Sequence, residues 1–259
     1  MKVAIDSGPL VTGHAVRGIG AHTAHLIKHL KKIKDVKVDV IDFSKNDLSQ
    51  YDIAHFPSFN PFFLTLPFKK PTKKLVLTIH DLIPLVYPKH YPPGIRGSLN
   101  FFIQKILLRN VDAFITISET SKKDICRFLG VSPDKVKAVH LAPREVFREI
   151  ENEGRLKKIR AKYSLPERFV LYVGDVNYNK NLFGLAEACK QVNIPLVIVG
   201  KQAKSEAADR EHVENRPFVR FLDRFGNDPS VIRVGFVPDE DLAVIYNLAT
   251  LFCQPSFYE

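Results

Sequence analysis

Three features are scarce in this chain of 259 residues, and each scarcity excludes a class of protein. The few cysteines, Cys126, Cys189 and Cys253, are too widely spaced for a disulfide framework or a zinc site, so we expect buried fillers. No stretch approaches the roughly 20 apolar residues that span a bilayer. The helix-turn-helix, zinc-finger and RNA-binding signatures of nucleic-acid readers are also missing, so we expect no nucleic-acid partner.

Charge appears at the very start of the chain. Lys2 and Asp6 leave no apolar core for a signal peptide, which predicts a cytoplasmic protein. The net charge is +10, from 38 basic and 28 acidic residues, and it favours a phosphate-bearing partner. A nucleotide-sugar and an anionic membrane surface suit this charge better than nucleic acid, because the basic residues are scattered.

Short apolar strands alternate with amphipathic helices along the chain. The alternation is typical of doubly wound parallel sheets. We therefore predict an α/β fold class with two Rossmann-like domains, over residues 1–150 and 167–259, and a junction over 151–166. Predicted strands cover residues 3–5, 36–41, 52–56, 74–79, 113–117, 136–139, 169–173, 196–199, 232–234 and 250–254. Predicted helices cover residues 19–33, 96–109, 119–129 and 182–190, with another opening at Pro238.

The second series of strands ends early. It holds four predicted strands, whereas a complete domain of this kind has about five or six. Only a few loop residues follow the last strand. We therefore expect the second domain to be incomplete and the chain to be truncated at its C-terminus.

In doubly wound folds, ligands bind beyond the carboxyl ends of the strands, so the turns there are candidate sites. Gly13, Arg17, Gly18 and Gly20 follow the first strand, where small residues let backbone N–H groups approach a phosphate or a sugar. Thr23 stands where a dinucleotide fingerprint would have its third glycine. A plain tight turn therefore remains the alternative.

His80 follows the fourth predicted strand directly. We expect its imidazole in a cleft between the domains, donating to a sugar hydroxyl or a phosphate, with Asp81 orienting it. A histidine satisfied within its own loop is the alternative. Asp42 ends the second strand and could hold a ribose, which keeps an NAD(P)-dependent oxidoreductase open as another function.

The second domain offers its own strand-end residues. Gly174 permits close backbone approach, and Lys180 lies near a predicted helix N-terminus, where its ammonium group can reinforce the helix dipole against a diphosphate. Glu259 follows the last strand and can accept hydrogen bonds from ribose or sugar hydroxyls. A surface lysine and an ordinary terminal acid are the alternatives. The equivalent strand ends of this domain carry Gly200, Gly235, Phe236 and Val237.

Taken in order, several short motifs resemble those of the retaining glycosyltransferases of the GT-B fold, family 4, also called group 1. The resemblance implies two Rossmann-like domains and transfer of a sugar from a nucleotide diphosphate to an acceptor hydroxyl. The motifs lie at residues 3–6, 17–20, 80–84, 112–119, 171–174, 180–182, 234–238 and 255–259.

The resemblance also implies the ligands. The donor is a GDP- or UDP-linked hexose, mannose or glucose, and the acceptor is a glycan or a lipid-linked sugar in cell-surface polysaccharide or glycolipid synthesis. No metal or other cofactor is implied, because basic side chains and helix ends neutralise the leaving diphosphate. A truncated nucleotide-sugar-binding fragment without catalysis is the alternative.

Residue roles follow from the same resemblance. His80, Lys180 and Glu259 are the expected catalytic residues, with Lys180 on the diphosphate and Glu259 as the first acid of an E-x7-E motif. Asn179 stands where the family often has a basic residue. The expected donor-binding residues are Gly18, Gly20, Gly174, Asn179, Lys180, Gly200, Phe236, Val237 and Glu259.

Two apolar segments of the first domain have a second interpretation. The loop 59–68 is aromatic and is followed by Lys69 and Lys70, and the predicted helix 96–109 carries Leu99, Phe102, Ile103, Ile106 and Leu107 on one face. We expect both to pack in the core. Peripheral docking on the inner face of the cell membrane is the alternative.

Overall fold

The structure, a computed structural model, describes residues 1–13, 18–205 and 209–259. The chain divides into two units. The first comprises Met1–Pro88 and Pro92–Leu141, and the second comprises Lys89–Tyr91 and Ala142–Glu259. Each unit contains one parallel sheet with helices, so the predicted α/β class is confirmed.

The first sheet has six strands in the order β2-β1-β3-β4-β5-β6, and every neighbouring pair is parallel. Its inner strands are apolar on both faces, as expected for a sheet covered by helices. The strands are β1 (Lys2–Asp6), β2 (Lys37–Ile41), β3 (Ile53–Phe56), β4 (Lys74–Thr78), β5 (Ala113–Thr116) and β6 (Val136–Ala138).

The helices of the first unit begin and end at recognisable signals. Ser118 caps one of them by accepting a hydrogen bond from the Ser121 backbone, and Gly130 ends it in the left-handed conformation with φ of 71°. The helices are α1 (Gly8–Val11), α2 (Gly18–Leu30), α3 (Ile83–Val86), α4 (Gly94–Leu107) and α5 (Glu119–Leu129), with short 3-10 helices at Leu108–Asn110 and Pro133–Lys135.

The second unit contains a four-stranded parallel sheet in the order β10-β7-β8-β9. Its strands are β7 (Val170–Val173), β8 (Leu196–Val199), β9 (Val231–Gly235) and β10 (Leu251–Phe252). Its helices are α6 (Glu153–Lys162), α7 (Leu182–Gln191), α8 (Arg216–Phe225) and α9 (Asp239–Leu248), with 3-10 helices at Tyr178–Lys180, Lys201–Lys204 and Val213–Asn215.

Alternate residues of β7 and β8 point to opposite faces, and both faces are buried. Tyr172 and Ile198 pack against α7 and α8, including Phe221 of α8. Leu171 and Val199 pack on the other face, in a cluster with residues of α6 and α9. The second unit therefore has a core on each side of its sheet.

Most of the expected junction over residues 151–166 forms helix α6, which packs on α9. Asp241 at the start of α9 pairs with Lys162 at 2.6 Å and accepts a hydrogen bond from the Tyr163 hydroxyl at 2.8 Å. Arg144 pairs with Asp239 beside it. These contacts tie the junction to α9, and the second unit starts at Ala142, earlier than expected.

The cysteines are free thiols, with Cys189 buried and the other two half-buried. Within the described ranges, no helix is both long enough and apolar enough to cross a membrane.

Helix α4 buries only part of the apolar face that was expected to pack, because Leu107 is buried and Ile103 packs against the core while the rest of the face is exposed. Ile95, Leu99, Phe102 and Ile106 form a stripe whose exposure runs from 46% to 94%. The inward face carries Gln104, which is fully buried.

Gln104 explains this orientation, because it holds the aromatic loop onto the helix. Its side-chain amide donates to the Asn60 carbonyl at 2.7 Å and accepts from the Thr65 backbone at 3.1 Å. The loop adds Phe63 and Phe68 to the exposed apolar surface, at 65% and 71% exposure. We call this surface, formed by the α4 stripe together with Phe63, Leu64 and Phe68, the α4 patch.

Candidate functional site

Each sheet contains one point where the chain reverses the direction in which it adds strands. In the first unit, β2 lies on one side of β1 and β3 on the other; in the second, β8 and β10 flank β7 in the same way. Ligands of open α/β sheets bind beyond the carboxyl ends of the strands at these points. The candidate residues of each unit lie at such an edge.

At the edge of the second sheet, Lys180 and Glu259 form an ion pair. Lys180 ends the 3-10 helix after β7, and Glu259 follows β10, so the strands on both sides of the reversal contribute to the pair. The Lys180 Nζ lies 2.5 Å from the Glu259 Oε1, and the two side chains are 24% and 55% exposed. Two predicted site residues are thus brought together across 79 positions of sequence.

The Glu259 carboxylate is ionised in this setting. Burial alone would raise its pKa, but hydrogen bonds from Lys180 and Ser256 outweigh burial and hold that pKa below its ordinary value. The Ser256 hydroxyl donates to the same carboxylate oxygen at 2.5 Å. The edge therefore carries one positive and one negative group, and an incoming anion would compete with Glu259 for Lys180.

Asn179, expected to bind the donor, instead holds the loop together. It is 3% exposed. Its side-chain oxygen accepts from the Tyr91 hydroxyl at 3.0 Å, and its backbone carbonyl accepts from the Phe257 N–H at 2.7 Å. The Phe257 contact fixes the loop that carries Lys180 to the segment that carries Glu259, and the Tyr91 contact fixes the same loop to the segment Lys89–Tyr91. The structure therefore gives Asn179 a positioning contact, where the family often has a basic residue.

The glycines at the ends of β7 and β8 let two backbones meet. A Cβ on Gly200 would lie 2.3 Å from the Gly174 carbonyl oxygen, so only glycine fits there. Gly174 has φ of 154°, a conformation that other residues rarely adopt. The Gly200 N–H donates to the Gly235 carbonyl at 2.9 Å, so backbone hydrogen bonds also join the ends of β8 and β9. Gly174 and Gly200 therefore let the ends of β7 and β8 approach more closely than residues with side chains would.

The two residues after Gly235 are placed differently from each other. Phe236 is 65% exposed, whereas Val237 is 4% exposed and packs in the core beside Leu242 and Ile245. Only the backbone of Val237 could face a ligand. Gln202 was not predicted, yet its side-chain oxygen accepts from the Val176 N–H at 2.8 Å and ties the loops after β7 and β8 together.

In the first unit, the expected glycine turn is partly helical. Gly18 and Gly20 lie in the first turn of α2, where Gly20 is buried and Gly18 is exposed. Thr23 is also within α2, and its hydroxyl donates to the Ile19 carbonyl at 2.8 Å. Arg17, part of the predicted motif, lies outside the described residues.

His80 lies at the carboxyl edge of the first sheet, directly beyond Ile79. Its Nε2 donates to the Pro57 carbonyl at 3.2 Å, and in this tautomer the lone pair is on Nδ1. Asp81 accepts a hydrogen bond from the Ile83 N–H at 3.1 Å, which holds the start of α3.

Two further histidines, which we did not predict, surround His80. The ring of His22 on α2 meets the His80 ring edge to face, with centroids 4.8 Å apart. His55 on β3 is 4% exposed, and its Nε2 lies 2.8 Å from the Thr78 hydroxyl. We call His22, His55 and His80 the histidine cluster. Nothing in their sequence spacing signals it, since each comes from a separate element.

Two members of the histidine cluster, His22 and His55, disfavour protonation. Burial, followed by the nearby charges of His22 and His80, lowers the pKa of His55 to about 4. Burial also lowers the pKa of His22, whose buried Nδ1 has no hydrogen-bond partner among the described residues. Neutral imidazoles at this edge can donate and accept hydrogen bonds without adding fixed charge.

Asp42, the one residue that suggested a nicotinamide cofactor, forms its contacts within its own turn. Its carboxylate accepts from the Ser44 hydroxyl at 2.6 Å and pairs with Lys45 at 3.2 Å. These contacts lower the pKa of Asp42, with the Ser44 hydroxyl as the largest cause.

Comparison with known families assigns both units. Residues 44–142 match the model of "Glycosyltransferase Family 4", and residues 156–259 match "Glycosyl transferases group 1". The chain belongs to the family 4, group 1 glycosyltransferases. The second match contains the whole Lys180–Glu259 edge, and the first contains His55 and His80.

Curated relatives point to the same family. The serotype-specific mannosyltransferase WbdA of Escherichia coli is 28% identical over 224 residues, which cover 80% of this chain and 26% of that protein. The O-antigen chain mannosyltransferase B of Escherichia coli is 26% identical over 221 residues, which cover 80% of this chain and 51% of that protein. The chain thus spans about half or less of the length of these relatives.

Among solved structures, sucrose-phosphate synthase from Thermosynechococcus elongatus is similar to this chain with a TM-score of 0.65 at 17% identity. The match covers 100% of this chain and 76% of that one. The two proteins share the GT-B fold.

Proposed function

We propose that the protein transfers a mannosyl group from a nucleotide-diphosphate donor to an acceptor hydroxyl, in the synthesis of a cell-surface polysaccharide. The observation that carries the proposal is the Lys180–Glu259 pair at the edge of β7 and β10, beside the glycines that follow β7 and β8. Family membership supports the reaction class, and the names of the curated relatives support mannose and the polysaccharide.

The chemistry of transfer requires charge on the protein. As the glycosidic bond breaks, negative charge grows on the diphosphate, and Lys180 lies where an ammonium group can stabilise it. The N–H groups of Gly174 and Gly200 already donate to the Val199 and Gly235 carbonyls within the sheet, so the proposal relies on Lys180 for the charge. This arrangement supplies the positive charge without a metal ion, which is part of the proposal.

Glu259 and His80 are proposed to bind the sugars. The Glu259 carboxylate accepts hydrogen bonds from hydroxyl groups of the donor once the diphosphate has taken its place on Lys180. His80, beside the other two imidazoles, donates to or accepts from a sugar hydroxyl. We further propose that the anomeric configuration is retained, as the family resemblance implies.

A transfer assay tests this function. The 259-residue chain is incubated with radiolabelled GDP-mannose, UDP-glucose or GDP-glucose and a mannose-terminated acceptor, with and without EDTA. We expect transfer from GDP-mannose, unchanged by EDTA, and an α-linked product by proton NMR. Transfer only from a glucose donor would overturn the mannosyl assignment, and a β-linked product would overturn retention. Nucleotide binding with no transfer would favour the non-catalytic alternative.

The α4 patch supports a proposal about location. We propose that it docks on an anionic membrane surface. Its exposed rings and aliphatic side chains can enter the interface between head groups and acyl chains, and the exposed Lys69, Arg96, Lys105 and Arg109 can meet anionic head groups.

Vesicle sedimentation tests the docking. We expect wild-type protein to sediment with phosphatidylcholine vesicles that contain phosphatidylglycerol, less strongly at high salt, and hardly at all with phosphatidylcholine alone. Phe102→Asp removes a ring that is 65% exposed and should abolish most sedimentation. Val192→Asp changes a residue of the second unit that is 62% exposed and should have no effect. Equal sedimentation of both variants would contradict the proposal.

A further inference from the structure

A cavity of about 620 Å³ in the second unit lies beside the loop after β7, and none of the proposed site residues lines it. Its walls come from the segment Lys89–Tyr91, the loop after β7, the starts of α7 and α8, and Phe257. The size is that of a ligand pocket. We call it the cationic cavity, because its charged lining residues are basic.

The charge of the cationic cavity is entirely positive. Lys89, Arg216 and Arg220 line it, and His90 adds an imidazole, whereas no aspartate or glutamate is among the described lining residues. Arg216 and Arg220 are one turn apart on α8, so their guanidinium groups lie on the same side of the helix. A wall of this kind fits an anion with several oxygen atoms, because guanidinium groups bind phosphate in a bidentate manner.

Arginines near the cationic cavity differ from those that line it, because they pair with carboxylates. Arg224, one turn beyond Arg220 on α8, donates to Glu187 at 3.2 Å, and Arg210 pairs with Asp223. Arg216, Arg220 and Lys89 have no carboxylate within salt-bridge distance in the described ranges. Among the described residues, the three cations of the cavity therefore lack a carboxylate partner, whereas Arg210 and Arg224 are paired and lie outside it.

Aromatic rings hold the cavity in shape. The His90 ring stacks on Tyr178 with centroids 3.4 Å apart and planes 11° apart, and Phe257 lies 5.5 Å from Tyr178. The Arg220 guanidinium lies 3.9 Å above the Phe183 ring, which fixes its direction. Cations placed by ring contacts lose less freedom when they bind a ligand.

The cavity and the Lys180–Glu259 pair use different side chains of one short helix. Tyr178 and Lys180 both belong to the 3-10 helix Tyr178–Lys180, and Tyr178 contacts His90 while Lys180 contacts Glu259. Asn179 between them is buried and hydrogen-bonded. Two anion-binding positions are thus separated by one structural residue.

We propose that the cationic cavity binds the diphosphate of a second ligand, the acceptor, separately from the diphosphate of the nucleotide donor. The assignment to the acceptor rests on the proposed function, but the binding of a diphosphate does not. An acceptor held in this way carries its sugar on a diphosphate, as an activated or carrier-linked glycan would.

Calorimetric titration of the 259-residue chain with inorganic pyrophosphate tests the site. The double variant R216A/R220A should weaken pyrophosphate binding about tenfold or more, as expected for lost charge-assisted hydrogen bonds. The matched control R210A/R224A removes the same charge from arginines outside the cavity and should change binding less than about twofold. Equal losses in both variants, or none in R216A/R220A, would overturn the proposal. Thermal unfolding of each variant checks its fold.

Two further titrations separate the sources of the diphosphate. Lys180→Ala should keep the pyrophosphate binding that R216A/R220A loses, and saturation with GDP or UDP should leave it in place. If Lys180→Ala abolishes that binding, or if a nucleotide displaces it, the cavity serves the donor and the proposal is wrong. Because pyrophosphate is the probe, the result stands even if the chain transfers no sugar.

Discussion

The carboxyl edges of the two sheets differ in the chemical groups that form them. The edge of the first sheet carries the side chains of the histidine cluster, and burial lowers the pKa of His22 and of His55. The edge of the second sheet brings two strand ends close together at Gly174 and Gly200 and carries one ion pair. The same doubly wound topology therefore gives one edge of imidazoles and one edge with a paired ammonium and carboxylate.

The largest expected effect comes from adding one methyl group to the backbone edge. Gly200→Ala places a Cβ 2.3 Å from the Gly174 carbonyl oxygen. Because the Gly174 oxygen is a backbone atom directly after β7 and cannot move away without shifting that strand end, we expect the free energy of unfolding to fall by about 3 kcal/mol. Urea unfolding measures it.

Gly154→Ala is the matched control for that change. Gly154 lies on α6 of the same unit, and its added Cβ would lie 3.4 Å from the Asn152 side chain, an ordinary contact. We expect unchanged or slightly raised stability, by up to about 1 kcal/mol. A similar loss of stability in both variants would show that the close backbone contact at Gly200 is not the cause of the loss.

The buried His55 of the first sheet should make the free energy of unfolding depend on pH. The pKa of His55 is about 4 in the folded state, below the ordinary value of 6.5, so the unfolded chain binds its proton first. Stability is therefore full above pH 6.5 and falls as the pH drops towards 4, by about 2–3 kcal/mol.

His55→Gln, which keeps a hydrogen-bonding group near Thr78, should remove most of that slope between pH 7.5 and 4.5 in urea unfolding. His29→Gln, on an exposed residue of α2, should leave the slope unchanged. If both variants keep the wild-type slope, the buried imidazole is not its source.

At the second edge, Lys180→Ala should weaken the binding of a nucleoside diphosphate by about 1.5–3 kcal/mol, the usual cost of a lost charged hydrogen bond. Calorimetry measures it. Lys190→Ala is the control, because Lys190 pairs with Asp228 at the same 2.5 Å in the same unit but lies at the end of α7. Unaltered affinity in Lys180→Ala would remove this lysine from the site.

The smallest effect is expected at His80. Replacing it with alanine removes one neutral hydrogen bond to a sugar hydroxyl, so kcat should fall about tenfold while nucleotide affinity stays within a factor of two. His29→Ala should leave both unchanged. A loss of affinity without a loss of kcat would make His80 a binding residue for the nucleotide.

Features that depend on residues close together in the sequence could be predicted, whereas features that depend on distant segments could not. Strand and helix order follows from local apolar patterns, and the bounds of α5 follow from Ser118 and Gly130, which act within a few residues. The position of Lys180 at an edge was also predictable. Its pairing with Glu259 was not, because it depends on β10 joining the sheet beside β7.

The sequence was least informative where one polar residue decides the packing. Gln104 turns the apolar stripe of α4 outward by holding the aromatic loop, and no periodicity signals that. Helix α6 was not predicted, because it packs on α9 and pairs Lys162 with Asp241, far along the chain. His22 and His55 were missed for the same reason, since their cluster exists only once three elements are side by side.

The most direct test of the account is calorimetric titration of the 259-residue chain with GDP and with UDP, without metal. We expect one site per chain for one of these nucleotides, with affinity weakened in Lys180→Ala and kept in Lys190→Ala. If neither nucleotide binds to the folded wild-type chain, the edge formed by β7 and β10 is not a diphosphate site, and the proposed function of this chain is wrong.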